Sequence, residues 1–305
     1  MKVPSAEPAW VELPRGVQAV LHEYRAGTIS AEVAVMQLLL AYGSLELLLN
    51  CLDRIAAQAE FAPLRCLAAE HGADLERTAA LVASGLAAER RTIAAVRNQF
   101  DRAVALAPEA AVALYSLGAP TTLDRATAEI VAGLREWGLV GPDRTVLDIG
   151  CGIGRFETAL ASEVAAITGI DVSGGMIAEA RRRCAGLANV SLRQCGGTDL
   201  GEFADRSFDL ILAVDMFPYL VAADPAIAAR HIADAARLLR SGGALAILNY
   251  SYRGELGVDR AEVAQLASAH GFVVERSGTR DLTLWDGTTF LLRKPAGLSV
   301  RSRRE

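Results

Sequence analysis

A chain of 305 residues is long for one ordinary domain and short for three, so length favours two. Hydrophobic residues make up 52% and charged residues 22%, which excludes a disordered or collagen-like chain, because apolar surface is ample to offset the entropy of ordering. Lys and Arg number 31 against 36 Asp and Glu, a net charge of −5 with no long basic run, which argues against nucleic acid as a partner.

The start, residues 1–8, lacks the apolar core of a signal peptide. The greasiest stretch, 33–49, is interrupted by Gln37, Gly43, Ser44 and Glu46 and is unsuited to spanning a bilayer. A helix is expected around Val17, Val20, Leu21 and Tyr24, spaced i, i+3, i+4 and i+7 and ended by Gly27. Ser30 is placed to cap a second helix that Gly43-Ser44 breaks. Further helices are expected over about 45–59, 64–70, 75–88 and 90–106, punctuated by Pro63, His71-Gly72 and Pro108. Gly118-Ala119-Pro120 reads as a linker or sharp turn, and Thr121-Thr122-Leu123-Asp124 as a capping box for a helix ending near Gly138.

From there strands and helices alternate. Strands are expected over 145–149, 165–171, 190–193, 208–214 and 244–249, and helices over 156–162, 175–184, 225–239 and 260–270. Near-continuous apolar strands such as Ile211-Leu212-Ala213-Val214 point to a parallel sheet covered on both faces. Segments 281–285 and 288–292 flank Asp286-Gly287, a type I′ hairpin signal, so the last strand is expected to run antiparallel. Residues 296–305 read as a disordered tail. The five cysteines, Cys51, Cys66, Cys151, Cys184 and Cys195, are odd in number, form no CxxC pair and have no histidine at zinc-ligand spacing, as expected of buried, reduced thiols in a cytoplasmic protein without a metal.

The densest signal is Asp148-Ile149-Gly150-Cys151-Gly152-Ile153-Gly154. Three glycines at alternate positions, between a buried strand and a helix, let the backbone approach a ligand closely. Neither register completes the G-x-G-x-x-G of a dinucleotide fold, because Arg155 or Glu157 occupies the third glycine position, and no GK[ST] follows. The segment resembles motif I of the class I S-adenosylmethionine-dependent methyltransferases, D-x-G-x-G-x-G. Asp171, which ends the second strand 21 positions after Gly150, agrees with it, since an acceptor-only carboxylate can serve both ribose hydroxyls.

The resemblance covers about residues 121–295. It implies a Rossmann-like α/β sheet, mostly parallel with the last strand antiparallel, preceded by an all-helical domain over 1–120. It further implies S-adenosylmethionine as cofactor, S-adenosylhomocysteine as product, and cofactor contacts from Asp148 (on the methionine portion), Gly150, Cys151 as a small filler, Gly152, Gly154, Asp171, Val172 and Met176 (against adenine). Thr198 and Asp199, in Gly196-Gly197-Thr198-Asp199, match the turn that meets the adenine amino group. Asp215 and Phe217, after the fourth strand, would line the floor near the methyl group, and Tyr115 would reach the cofactor carboxylate from the helical domain. Asp215, Tyr219, Tyr250 and His231 are the candidates for a catalytic base, with no choice among them. Asp215 and Asn249 match two members of the metal-binding trio of catechol-type O-methyltransferases, but Leu248 replaces the middle Asp, so no metal is expected. Asp215-Met216-Phe217-Pro218-Tyr219 echoes [DNS]-P-P-[YF] with one residue too many, which disfavours base methylation of nucleic acid.

The expected reaction is in-line transfer of a methyl group to the O-, N- or C-nucleophile of a small molecule, with no nucleic-acid or membrane partner. The helical domain would serve as lid, acceptor-binding element and candidate homodimer surface. A non-methylating enzyme of the same fold that releases methylthioadenosine, or a non-catalytic cofactor-binding protein, are the alternatives.

Overall fold

The computed structural model describes residues 9–84 and 92–296. Residues 1–8, most of the expected tail and the joined ends of the helices expected over 75–88 and 90–106 lie outside them. Two compact units are formed.

The helical unit comprises the described residues up to 84 together with Arg102–Ala126 and Leu282–Asp286. Its helices are α1 (Arg15–Arg25), α2 (Ala31–Tyr42), α3 (Leu45–Ile55), α4 (Ala62–Glu70), α5 (Gly72–Ala83) and α7 (Pro108–Val112), with parts of α6 (Ile93–Leu106) and α8 (Pro120–Glu136). The sequence punctuation acts as expected at α2, where the Ser30 hydroxyl accepts the Val33 N–H at 3.2 Å and Gly43 closes the helix in the left-handed region. Val17 and Leu21 of the first stripe are buried with Val33, Leu38, Leu48, Leu52, Phe61 and Leu64. Two boundaries differ from the sequence reading. Pro108 opens α7, as suits the first turn of a helix, and α8 begins at Pro120, so Thr121 lies inside the helix and not at its cap. The turn before it is sharp, with Leu117 and Gly118 both left-handed.

The sheet unit comprises the described residues 92–101, Thr127–Asp281 and 287–296. Its strands are β1 (Thr145–Ile149), β2 (Ala166–Asp171), β3 (Val190–Gln194), β4 (Phe208–Val214), β5 (Leu239–Leu248), β6 (Val273–Thr279) and β7 (Thr289–Arg293). They are ordered β3-β2-β1-β4-β5-β7-β6, with the first five parallel and β7 antiparallel to both β5 and β6. The strands are joined by α9 (Arg155–Leu160), α10 (Gly174–Arg183), α11 (Phe217–Ala223), α12 (Pro225–Leu238) and α13 (Leu256–Ala269). The mostly parallel sheet with an antiparallel last strand is as expected. β1 and β4 are buried on both faces because helices cover both sides, and Ile211, Leu245, Ile247, Phe290 and Leu292 form the centre of the core. The chain winds outward from β1 to β3 and returns through β4, so the strand order reverses between β1 and β4. Crevices outside the carboxyl ends of the strands at such a point are where open α/β sheets bind ligands.

The hairpin expected around Asp286-Gly287 is not formed. β7 pairs instead with β5 and with β6, a strand the sequence reading passed over, and Leu282–Asp286 belong to the helical unit. There the Asp286 carboxylate accepts from Gln37 Nε2 at 3.1 Å and Trp285 is buried. A tertiary anchor thus overrides a local turn signal. β5 also starts earlier than expected, running through Gly242-Gly243 with a register shift against β4.

Candidate active site

The glycine turn occupies the switch point. Gly150, Gly152 and Gly154 have φ of 75°, 53° and 79°, values that side chains with a Cβ rarely adopt. A Cβ on Gly150 would also lie 2.7 Å from Met216 Cβ, after β4. The turn is pinned to β2 by two N–H donors, Gly150 and Cys151, that share the Ile170 carbonyl at 2.7 and 3.0 Å. Next to it Asp171 accepts from the Gly152 N–H at 3.0 Å and the Ser173 N–H at 2.8 Å, one on each carboxylate oxygen.

Burial pushes the Asp171 carboxyl up to about 6, although those two N–H bonds favour its charged form. A carboxyl group raised on folding contributes stability that is full below its unfolded value near 4 and is lost as pH rises through about 6. The expected result is that Asp171→Asn gains stability relative to the parent as pH rises from 4 to 7, by roughly 2–3 kcal/mol from a shift of about two units. Thermal unfolding of both proteins across that range measures it, and a pH-independent difference would contradict it.

Val172, Ser173 and Met176 follow Asp171 into α10. The Ser173 hydroxyl accepts the Met176 N–H at 3.0 Å and donates to Asp101 on α6 at 2.5 Å, and Asp101 also accepts the Gly175 N–H at 2.9 Å. Arg97 Nε, one turn earlier on α6, donates to the Val172 carbonyl at 3.1 Å. Gly197 abuts Val172 so closely that no Cβ would fit, which brings the Gly196–Asp199 turn to the same place. Asp199 is exposed and accepts the Gly201 N–H and the Thr198 hydroxyl, bonds that hold its carboxyl below the usual range.

Across the crevice, β4 and β5 are each followed by a left-handed residue other than glycine, Asp215 (φ 54°) and Asn249 (φ 69°). Asp and Asn tolerate this region best, and strain of order 1–3 kcal/mol per residue is typical of functional sites. Asn249 Nδ2 donates to Asp215 Oδ1 at 2.6 Å, and the Tyr252 hydroxyl donates to the same oxygen at 3.2 Å. Tyr219 meets Tyr252 edge-on at 6.0 Å and Phe100 of α6 at 5.1 Å.

Of the four candidates for a base, then, Asp215 and Tyr219 are brought together and Tyr250 and His231 are not. Tyr250 is 2% exposed, with its ring stacked on Phe217 at 5.9 Å and against Phe290 at 6.1 Å. Burial, with Glu262 beside its hydroxyl, pushes it above the ordinary tyrosine range. His231 is 1% exposed, with Nδ1 2.9 Å from the Ile227 carbonyl, and burial holds it below the ordinary histidine range. Phe217 is likewise core. The left-handed turn at Asn249 sends Tyr250 into the core and presents Tyr252 to Asp215. Tyr115 lies buried in the helical unit, in the short 3-10 turn Leu114–Ser116.

Beneath the glycine turn, Asp148 and Glu157 are both buried, and Asp148 Oδ2 and both Glu157 carboxyl oxygens have no hydrogen-bond donor. Burial raises the Cys151 thiol well above its ordinary value, which suits a filler and not a nucleophile. Among the described residues no group of three or more His, Cys, Asp or Glu side chains is gathered to hold a metal ion, and no helix is long and apolar enough to cross a membrane. The sequence reading missed Asp101, Ser173, Tyr252 and Glu157. The first two and Tyr252 act through partners distant in the chain, and Glu157 looks like an ordinary first-turn acid.

Residues 146–243 match the family model described as a methyltransferase domain. Demethylmenaquinone methyltransferase of Tropheryma whipplei (strain Twist) is 38% identical over 107 residues, 35% of this chain and 42% of that protein. Phosphatidylethanolamine N-methyltransferase of Cereibacter sphaeroides is 35% identical over 140 residues, 43% of this chain and 66% of that protein. The chain therefore spans less than half the length of the first of these relatives. Among solved structures, phosphoethanolamine N-methyltransferase 1 of Haemonchus contortus is similar at a TM-score of 0.49 and 17% identity, covering 68% of this chain and 51% of that one.

Proposed function

We propose, for a chain that belongs to the class I S-adenosylmethionine-dependent methyltransferases, that it transfers a methyl group from S-adenosylmethionine to a small-molecule acceptor. The observation that carries the reading is the pairing of the left-handed glycine turn with Asp171, whose oxygens each accept one backbone N–H and retain capacity for a further donor. That donor set fits a ribose, and Gly150 leaves room where a side chain would close the crevice against Met216. Asp148, Gly152, Gly154, Val172, Met176 and the Thr198-Asp199 turn would complete the contacts.

The cofactor supplies a methyl group already activated on a sulfonium. The chain's part is therefore to align the acceptor, which can be worth several kcal/mol, and to take a proton where the acceptor carries one. Asp215 is the residue assigned to that proton. Asn249 and Tyr252 orient its carboxylate, and Tyr219 and Phe100 supply aromatic faces beside it. The relatives are named for quinone and phospholipid-headgroup chemistry, which supports an acceptor with an O–H, N–H or C–H nucleophile.

The test is incubation with methyl-labelled cofactor and a panel of phenols, amines and quinols, with the nucleoside product identified by chromatography. S-adenosylhomocysteine supports the reading, methylthioadenosine would favour a non-methylating enzyme, and binding without turnover would leave a binding protein. Asp215→Asn is expected to lower kcat by about 10²–10⁴ while the Kd for S-adenosylhomocysteine changes less than about threefold. A parallel loss of both would remove Asp215 from the acceptor side.

A further inference from the structure

We propose that Glu157 is a positioning residue of the cofactor site, a buried carboxylic acid that donates its proton to Asp148 and keeps that side chain a correctly turned carboxylate. The proposal rests on the cofactor reading above, in which Asp148 serves the methionine end.

Three observations converge on it. Glu157, in the first turn of α9, is 0% exposed, and Asp148, on β1, is 1% exposed. Room for the Glu157 carboxyl is made by Gly169 on β2, where an added Cβ would run into Glu157 Oε1 and come within 2.9 Å of both Cys151 Cβ and Leu192 Cδ2. The fold thus leaves out a side chain in the middle of a strand, where glycine weakens pairing, at the place an acid occupies. Finally, Asp148 Oδ2 and both Glu157 oxygens receive no N–H or O–H from any other group. Gly169, which makes room for Glu157, is the register partner of Asp148, so the two acids face each other. With no donor on Asp148 Oδ2 or on either Glu157 oxygen, both being charged is strongly disfavoured, and one shared proton turns the repulsion into a hydrogen bond.

The surroundings decide which acid keeps that proton. Burial raises both groups, Glu157 well above the ordinary range and Asp148 to about 7, the lower of the two because Arg155 on α9 opposes its rise. Asp171 on β2 pushes both upward, and the Cys151 and Cys184 thiols that face Glu157, from the turn and from the residue after α10, are themselves raised and so uncharged at neutral pH. Glu157 is therefore the donor and Asp148 the carboxylate. A negative Asp148 favours a cationic ligand group, and its protonation at lower pH weakens that attraction.

Glutamine and methionine at position 157 separate this from packing, since both nearly match glutamate in size but only glutamine can donate. Binding of S-adenosylhomocysteine is measured by calorimetry from pH 5.5 to 8.5 for the parent, Glu157→Gln and Glu157→Met, with thermal unfolding of each unliganded protein. Glu157→Gln is expected to bind within about threefold of the parent with the same acid limb. Glu157→Met, which removes a donorless buried acid and so melts no lower than the parent, is expected to bind about tenfold or more weakly at pH 7, with its acid limb moved to higher pH. Equal affinities and pH profiles for the two variants, or glutamine failing as methionine does, would overturn the proposal and leave the cofactor reading intact. A parent protein that binds no S-adenosylhomocysteine would overturn both.

Discussion

Asp171→Ala is expected to weaken binding of S-adenosylhomocysteine by about 10²–10⁴-fold, the largest loss of affinity from any single change in the site. Two effects add. Hydrogen bonds from ribose hydroxyls to a charged acceptor contribute about 1.5–3 kcal/mol each, and both are lost. The Gly152 and Ser173 N–H groups, now bonded to Asp171 at 3.0 and 2.8 Å, are left without an acceptor in a buried place, so the glycine turn and the start of α10 lose the anchor that joins them. Calorimetric titration measures the loss directly. The fold is expected to survive, because the turn remains pinned to the Ile170 carbonyl through Gly150 and Cys151. An Asp171→Ala protein that binds within threefold of the parent would mean that the ribose is held elsewhere.

Gly154→Val is expected to bring the largest loss of stability. Its φ of 79° costs an L-residue about 1–2 kcal/mol, and a branched side chain more. The new Cβ would start 2.9 Å from Cys184 Sγ and 3.1 Å from Ala180 Cβ on α10, and overpacking of this kind typically costs 1–3 kcal/mol. The sum is roughly 2–5 kcal/mol, or about 4–20 °C in Tm at 2–4 °C per kcal/mol. Relief comes only by moving α10, which carries Met176, so cofactor affinity falls as well. Gly186→Val is the control. It has a φ of 88° but nothing within 4 Å, and should show the strain alone. Equal melting losses in the two variants would mean that packing against α10 contributes nothing.

The two halves of the site were not equally legible. The proposed cofactor half is local: Asp148, the three glycines and Asp171 lie within 24 residues, on a strand, a turn and the next strand, and hydrophobic patterning alone sets that register. The proposed acceptor half is assembled from Phe100, Asp215, Tyr219, Asn249 and Tyr252, spread over more than 150 residues. Tyr250 and His231 looked like candidates because they follow strand ends or sit on the right helix. Their direction depends on the left-handed turn at Asn249 and on packing around Phe217, neither of which has a sequence signature. The hairpin expected at Asp286-Gly287 failed for a related reason, since Gln37 on α2 captures Asp286 from 249 positions away.

What the amino-acid sequence determined by itself was the mostly parallel sheet and the glycine turn with its acid, because periodicity, turn chemistry and short spacing are encoded between near neighbours. Only the tertiary structure decided that Leu282–Asp286 join the helical unit, that α6 supplies Asp101 and Arg97 to the loop after β2, and that Glu157 faces Asp148 in a space left by Gly169. Those outcomes depend on which distant groups burial brings together. A carboxyl group's charge, too, is set by the water and donors removed from around it, and the residues beside it in the chain do not fix them.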